Sequence, residues 1–381
     1  MNGQSTSPDL RIAAMLLAIG LVAMTSASVE VSMNMHGDAL YYFKNQSLFM
    51  AVGVLLALVL ARIPLEVHRK LAPWYGVISL ALLTLTLIPG LGHTVNNSTR
   101  WLDLGPFRFQ PSELIKPVLV LWMAAYVAQH GTLLETRLRG VLLPLGIVAM
   151  TVSLLLLQPD FGTACVIAAT ALCMLFLCGG YLRALLGCAL CATVAMGGLA
   201  VAAPYRLMRI QTFLDPWADP FNSGYQLTQS LIAIGSGGMW GRGLGDGGQK
   251  HFYLPEMHTD FVFAVAAEEL GLIGAVAIIL LFAMFLTAAF RIARQAQARE
   301  QHFAAAVAYG VGLWISLQAF VNIAVNMGAL PTKGLTLPLM SAGGSSMLAT
   351  LAGLGLLWRA RYEAETLPGT GRAGSRRGRA A

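Results

Sequence analysis

Charged side chains are scarce in this sequence. Only 11% of its 381 residues are Asp, Glu, Lys or Arg, whereas 56% are hydrophobic. Soluble globular proteins carry about 25% charged residues, so a soluble fold is excluded for most of the chain. Apolar runs of about 20 residues, the length that crosses a bilayer as a helix, recur along the whole sequence. We therefore predict an all-α polytopic membrane protein.

Cysteines are few, and no grouping typical of a metal or nucleotide site is present. The net charge of +7 is spread over short loops and a basic tail, which is a pattern of membrane topology rather than of nucleic-acid binding. No Gly-Lys-Ser/Thr sequence follows the Gly-rich stretch, so a P-loop is excluded. All five cysteines lie in apolar runs, where helix packing is their expected role: Cys165, Cys173, Cys178, Cys188 and Cys191.

The apolar runs predict about ten transmembrane helices. We place them at 11–29, 47–63, 73–92, 111–129, 140–157, 163–180, 183–203, 260–290, 303–327 and 337–359. With both termini cytoplasmic, the short inner segments hold 16 Lys and Arg residues and the short outer loops hold 4, as the positive-inside rule requires. A long outer loop, about 204–259, separates helices 7 and 8. We expect one integral membrane domain over 1–367 and a disordered, basic cytoplasmic tail over 368–381.

The most unusual residues lie between Trp240 and Gly274. A Gly-rich polar loop leads into Asp260 at the mouth of the eighth predicted span, and Glu268 would lie roughly 12 Å deeper on an ideal helix. An acidic residue at mid-bilayer costs roughly 3 kcal/mol, so such residues usually face a polar cavity. Asp260 fits either a helix N-cap or a general base. Glu268 and the adjacent cationic loop favour a chemical role.

The pattern after Asp260 predicts a face of small residues. On a helix that begins at Asp260, the side chains of Ala264, Ala267 and Gly271 point within about 40° of its direction. Such a face leaves room for a ligand or for a closely packed helix. Glu269 would point away from it.

A second candidate group lies in the outer loop and helix near residues 100–116. Pro111 suits a helix start, and Glu113 and Lys116 then share one helix face. They fit either a local ion pair or a site in which Lys116 binds an anionic group. Arg100, next to Trp101, is either an interfacial anchor or a ligand contact.

Four outer segments complete the candidates. Asp160, in a Gln-Pro-Asp turn, is expected to cap the next helix. Gln226 begins a predicted short amphipathic helix, where it either contacts a sugar or packs at the interface. Glycines between 235 and 248 supply backbone N–H groups that can cradle phosphate. Lys333 lies in a segment broken by prolines and glycines, which at membrane depth requires burial or a wet cavity.

Taken in order, these motifs resemble the SEDS family (shape, elongation, division and sporulation) of bacterial wall polymerases. The similar stretches are RWLDLG with QPSELIK, QPDFGT, GYQLTQS, GRGLGDGGQK with YLPEMHTDFVFAVAAEELG, and LPTKGLTLP with GGSS. They cover nearly the whole chain, and they are more similar to the division branch of the family than to its elongation branch. One departure is Ala342, where the family typically has Tyr.

The resemblance implies peptidoglycan glycosyltransfer from lipid II on the outer face of the cytoplasmic (inner) membrane, at the division septum. Asp260 matches the essential aspartate of the family and is the expected catalytic residue. The expected substrate contacts are Lys116, Glu113, Arg100, Lys250, Gln249, Lys333, Glu268 and Gln226. The expected partners are a class B penicillin-binding protein transpeptidase, other division proteins and membrane lipids. No cofactor is expected except a divalent cation, Mg²⁺ or Mn²⁺, that shares the neutralisation of charge.

Two other function classes fit parts of the pattern. A lipid II flippase or transporter also uses intramembrane carboxylates and broken helices, although it predicts a charged pathway through both membrane halves. A non-catalytic division scaffold would keep its activity after loss of Asp260.

Overall fold

The protein is almost entirely helical, with one small sheet. The structure, a computed structural model, describes residues 8–95, 98–103, 105, 108–202, 204–248 and 257–367. The helices are α1 Pro8–His36, α2 Tyr41–Arg62, α3 Leu65–Leu85, α4 Pro111–Thr136, α5 Leu138–Leu157, α6 Phe161–Leu177, α7 Leu182–Ala202, α8 Pro204–Leu214, α9 Tyr225–Ser236, α10 Val262–Ala298, α11 His302–Asn326 and α12 Gly344–Thr366. The strands are β1 Gly92–Val95, β2 Ser98–Asp103 and β3 Arg108–Phe109.

The helices confirm a polytopic membrane protein. Each of the ten predicted spans falls on a helix, namely α1–α7 and α10–α12. Among the described residues, six helices are long and apolar enough to cross a membrane: α1, α2, α4, α5, α10 and α11. The apolar window of α11 is 83% buried and that of α2 only 17%. Most residues of the α11 window are therefore buried inside the protein, whereas most residues of the α2 window are not.

Several observed helix starts differ from the predicted span edges; α2, for example, begins at Tyr41 rather than at 47. Helix α3 begins at Leu65 rather than near 73, directly after the extended Pro64. Helix α12 begins at Gly344 rather than at 337, because the Pro338 region stays irregular. Helix α10 begins at Val262 rather than at 260, because Oδ1 of Asn326 on α11 accepts the N–H of Ala264.

The outer segments contain more regular structure than predicted. The three strands form an antiparallel sheet in the order β1-β2-β3, with Gly92 opposite Leu102 and a bulge after His93. Helix α8 lies in the region predicted as a long loop, and α9 confirms the short helix predicted there. The predicted disordered tail, 368–381, lies outside the described residues.

The described chain packs as two compact units. Unit 1 comprises the residues up to Met50, Ala189–Phe285 and Ser316–Met347, and unit 2 comprises Ala51–Cys188, Leu286–Ile315 and the residues from Leu348 onward. In unit 2, α3 packs on α4, α4 on α5 and α6, and α5 on α6, while β2 contacts α4. A single membrane domain over 1–367 stays a prediction.

Glycine allows two helices of unit 2 to approach closely. A Cβ added at Gly355 of α12 would lie 2.5 Å from the carbonyl oxygen of Ala57 on α2 and 2.7 Å from its Cα. Small residues at such crossings let helix backbones come into contact within a membrane. The α2–α12 contact therefore depends on the missing side chain at position 355.

We expect Gly355→Leu to lower the midpoint of thermal unfolding, measured on the purified protein in detergent. The atoms that a new side chain would meet belong to the Ala57 backbone, which cannot rotate away, and overpacking of this kind costs about 1–3 kcal/mol. Gly146→Leu on α5 is the matched control, since a Cβ there meets nothing within 4 Å. Equal midpoints for the two variants would show that the α2–α12 crossing is not close.

Candidate functional site

Asp260 is half-buried in the turn that precedes α10. In a helix beginning at Asp260, its carbonyl would accept the N–H of Ala264. That N–H instead donates to the carbonyl of Phe261 at 3.0 Å and to Oδ1 of Asn326 at 3.2 Å. Helix α10 therefore begins two residues after the predicted position, because a side chain from α11 replaces the helical acceptor.

The predicted small-residue face of α10 is also interrupted. Gly271 has φ 70° and ψ −170° and kinks the helix. The first straight segment of α10 thus runs only from Val262 to the residue before this glycine. Ala264 and Ala267 lie within that segment and are buried in the protein.

Two asparagines of α11 bind the backbone carbonyl of Asp260. Nδ2 of Asn322 donates to this oxygen at 2.8 Å, and Nδ2 of Asn326 donates to it at 3.0 Å. Asn322 also donates to the carbonyl of Leu335. Both asparagines are at most 1% exposed. They connect the turn of Asp260 to α11 and to the segment that follows α11.

The carboxylate of Asp260 lies against that same segment. A Cβ added at Gly334 would lie 3.0 Å from Oδ2 of Asp260, so glycine at 334 makes room for the carboxylate. Lys333, the preceding residue, is half-buried. The structure therefore brings Asp260 together with the backbone that carries the predicted Lys333.

Amide side chains form hydrogen bonds with backbone groups of the irregular segment before α12. Gln318 of α11 donates to the carbonyl of Thr336 at 3.0 Å. Gln46 of α2 donates to the carbonyl of Ser341 at 3.0 Å and accepts the N–H of Gly343 at 3.3 Å. The predicted need for buried partners in this broken segment is met by these side chains.

Sequence reasoning missed these amides. Gln318, Asn322 and Asn326 recur every four residues, which places them on one face of α11. Polar residues at that spacing within an apolar span were the available signal, because polar side chains inside a membrane are usually functional or paired.

The Gly-rich loop inserts into the kink of α10. Because Gly271 breaks the helix, the carbonyls of Glu268 and Glu269 accept the N–H groups of Arg242 and Gly243 at 3.0 and 3.2 Å. The N–H groups after the kink, at residues 272 and 273, donate to loop carbonyls 238 and 239 at 2.9 and 3.3 Å. The loop thereby completes the hydrogen bonding that the kink interrupts.

The two glutamate carboxylates bind the same loop. Glu268, 1% exposed, accepts the N–H of Gly248 at 2.8 Å and lies 3.5 Å from the guanidinium of Arg242. Glu269 accepts the N–H of Gly245 at 3.1 Å and the hydroxyl of Ser26 on α1. The N–H groups of Gly245 and Gly248, which were candidates for a phosphate cradle, are thus used by protein acceptors. A substrate contact for Glu268 stays a prediction.

Glu113 and Lys116 form a buried ion pair in the first turns of α4. Nζ of Lys116 lies 2.8 Å from Oε2 of Glu113, and the side chains are 1% and 6% exposed. The ammonium also lies 5.7 Å from the ring centroid of Trp314. Helix α4 begins at Pro111 as predicted. The local ion pair is therefore present, and the role of either residue in ligand binding stays a prediction.

Arg100 joins the sheet to the turn between α5 and α6. Its guanidinium donates to the carbonyls of Gln158 and Pro159, the first at 3.1 Å, and lies 3.8 Å from the carboxylate of Asp160. Asp160 caps α6, as predicted, by accepting the N–H of Thr163 at 3.2 Å. Arg100 thus supports this turn, and its contact with a substrate stays a prediction.

The remaining predicted residues are placed as follows. Gln226 is exposed in the first turn of α9, where a ligand can reach it. Gln249 and Lys250 lie outside the described residues. Asp260, Glu268, Gln226 and Lys333 belong to unit 1, whereas Arg100, Glu113 and Lys116 belong to unit 2.

The described part of the chain holds no group of three or more His, Cys, Asp or Glu side chains that could bind a metal ion. Mg²⁺ commonly binds through one or two carboxylates together with substrate phosphates, an arrangement for which Asp260 is a suitable ligand. The divalent cation stays a prediction.

Comparisons with known proteins give the family. A family model described as "Cell cycle protein" (FTSW_RODA_SPOVE) matches residues 8–366. The probable peptidoglycan glycosyltransferase FtsW of Nitrosococcus halophilus is 49% identical over 366 residues, which cover 95% of this chain and 94% of the relative. The corresponding protein of Thioalkalivibrio sulfidiphilus is 51% identical over 350 residues, 91% of this chain and 87% of the relative.

Two solved structures share the fold. A chain of a complex described as "Structural coordination of polymerization and crosslinking by a peptidoglycan synthase complex" superposes with a TM-score of 0.76 at 31% identity, covering 94% of this chain and 98% of that one. The rod shape determining protein RodA of Thermus thermophilus gives 0.67 at 31% identity, covering 93% and 96%. The chain therefore belongs to the SEDS family of cell cycle proteins, as its motifs indicated.

Proposed function

We propose that the protein is a peptidoglycan glycosyltransferase that polymerises lipid II on the outer face of the cytoplasmic membrane. Relatives about half identical over nearly the whole chain carry the name peptidoglycan glycosyltransferase. The observation that carries the proposal in this molecule is the half-buried carboxylate of Asp260, which lies beside Gly334 on a turn bound by two asparagines.

The reaction needs a base and a means to stabilise a leaving pyrophosphate. An acceptor hydroxyl forms a bond to the anomeric carbon of the donor sugar while the bond from that carbon to the lipid pyrophosphate breaks. Asp260 accepts the hydroxyl proton, a contribution of about 10²–10⁴-fold. Positive charge beside the pyrophosphate stabilises the charge that develops on it.

The contacts indicate which of the described cations is best placed to bind the pyrophosphate. Glu113 neutralises Lys116 at 2.8 Å, so the pair as a whole attracts an anion less than an isolated ammonium would. Lys333 adjoins Gly334, which contacts the Asp260 carboxylate. We therefore rank Lys333 first among the described cations as the pyrophosphate contact. Lys250, which lies outside the described residues, keeps its predicted role.

The proposed partner is a class B penicillin-binding protein transpeptidase that crosslinks the new strand. The support is the structural similarity to a chain of a complex in which polymerisation and crosslinking are coordinated. Because the relatives are named for the division protein FtsW, we place this multi-pass membrane protein at the septum with other division proteins.

We expect Asp260→Asn to lower the turnover of purified lipid II into glycan strands by about 10²–10⁴-fold, because an amide cannot accept the proton. The variant keeps the size of the side chain and the backbone carbonyl that the asparagines bind, so its folding should be unchanged. The assay uses the full chain together with its transpeptidase.

Asp38→Asn is the matched control for that assay. Asp38 is an exposed carboxylate between α1 and α2, and the hydrogen bond from Lys44 holds its pKa below its ordinary value. Its loss should leave turnover unchanged. Wild-type turnover in Asp260→Asn would remove Asp260 from the role of base. Movement of lipid II across vesicles without formation of polymer would instead favour the transporter.

We expect Glu113→Gln to destabilise the protein by about 3–5 kcal/mol, because it leaves the Lys116 ammonium buried without its carboxylate. Adding Lys116→Met to that variant should restore part of the loss. Chemical unfolding in detergent gives the free energies of unfolding.

Glu66→Gln is the matched control for Glu113→Gln. Glu66 and Arg69 have the same spacing and the same 2.8 Å distance but are 50% and 36% exposed, so the loss should be about 0–1 kcal/mol. If Glu113→Gln cost no more than this control, the buried pair would not contribute to stability.

A further inference from the structure

Two buried amides of α11 act on the backbone of the proposed base rather than on its carboxylate. Asn322 and Asn326 are four residues apart and so lie on one helix face. Their Nδ2 atoms lie 2.8 and 3.0 Å from the carbonyl oxygen of Asp260. This oxygen, which lies outside any helix, thus receives two hydrogen bonds from side chains 62 and 66 residues away.

Asn326 spans the first turn of α10. It donates to the carbonyl of Asp260 and accepts the N–H of Ala264 through Oδ1 at 3.2 Å. The first N–H groups of a helix lack intrahelical acceptors. Asn326 therefore supplies, from another helix, a cap that ordinarily comes from the residue before the helix. The direction in which the chain enters α10 depends on this side chain.

Asn322 connects the same carbonyl to the segment after α11. Its Nδ2 donates to the carbonyl of Leu335 as well as to that of Asp260. Gly334, beside Leu335, lies close to the Asp260 carboxylate, since an added Cβ there would lie 3.0 Å from Oδ2. One amide thus fixes the backbone of the base relative to the backbone that carries Lys333.

We infer that Asn322 and Asn326 are positioning residues for the Asp260 carboxylate, an inference that rests on the proposed function. A base must lie within hydrogen-bond reach of the hydroxyl whose proton it removes. Displacement of a reacting group by about 1 Å can cost on the order of 10²-fold in rate. The amides bind a carbonyl one bond from the Cα of Asp260, so they set the location of its carboxylate without contacting the substrate.

The test uses Asn326→Asp and Asn322→Asp, which keep the size of the side chain and replace the NH₂ donor by an oxygen. At position 326 the acceptor for Ala264 is retained, while the new oxygen faces the Asp260 carbonyl and repels it. We expect the kcat for lipid II polymerisation to fall by about 10–100-fold. The KM for lipid II should stay within about twofold, because a group that acts only in the chemical step changes kcat alone.

Ser230→Ala separates positioning from stability. The hydroxyl of Ser230 donates to the backbone carbonyl of Asn326 at 2.8 Å and is fully buried. This substitution removes a buried hydrogen bond to the same residue but leaves the Asn326 side chain in place. We expect a lower thermal midpoint with wild-type kcat. All kinetics are measured at a temperature at which every variant is folded.

Asp260→Asn is measured in parallel. If Asp260→Asn is inactive while both asparagine variants turn over lipid II no more slowly than Ser230→Ala, the positioning inference fails and the proposed base stands. If Asp260→Asn keeps wild-type kcat, the base assignment and the positioning inference fail together. A lower kcat at unchanged KM in both asparagine variants, with Ser230→Ala unaffected, supports the inference.

Discussion

In a bilayer, every backbone N–H and carbonyl group must find its partner within the protein. This chain leaves regular helix geometry at the start of α10, at the kink of Gly271 and in the segment before α12, and at each place other parts of unit 1 supply the missing partners. Asparagine and glutamine side chains donate hydrogen bonds to the backbone carbonyls at the first and third of these places. At the kink of Gly271, the Gly-rich loop forms backbone hydrogen bonds with the residues on both sides.

These partners leave a short helical segment bound at both ends. At its start, Asn326 bonds to Asp260 and Ala264. At its end, Glu269 accepts bonds from Ser26 of α1 and from Gly245 of the loop. A segment tied in this way cannot rotate about its axis without breaking bonds at both ends. Asp260 lies two residues before the start of this segment, so its position depends on contacts distributed along unit 1.

The sequence was sufficient to predict what depends on local pattern. Runs of apolar residues place ten helices, and the acid at the edge of one run, with Glu268 deeper in it, makes Asp260 a candidate. Features that depend on distant partners could not be predicted. The true start of α10 is set by an asparagine 62 residues beyond Ala264, and Gly271 was indistinguishable from a packing residue until its φ was known. Arg100 contacts a turn 58 residues away, and β3 has only two residues, too few to show alternation.

In unit 1, neighbouring groups bind the side-chain carboxylate of Glu268 but the main-chain carbonyl of Asp260. The carboxylate of Glu268 is bound by Gly248, Ser236 and Arg242, an arrangement that suits a structural contact. At Asp260, the two asparagines bind the main-chain oxygen instead. Bonds to the main chain restrict where the carboxylate lies, and a general base must lie within hydrogen-bond reach of the hydroxyl whose proton it removes.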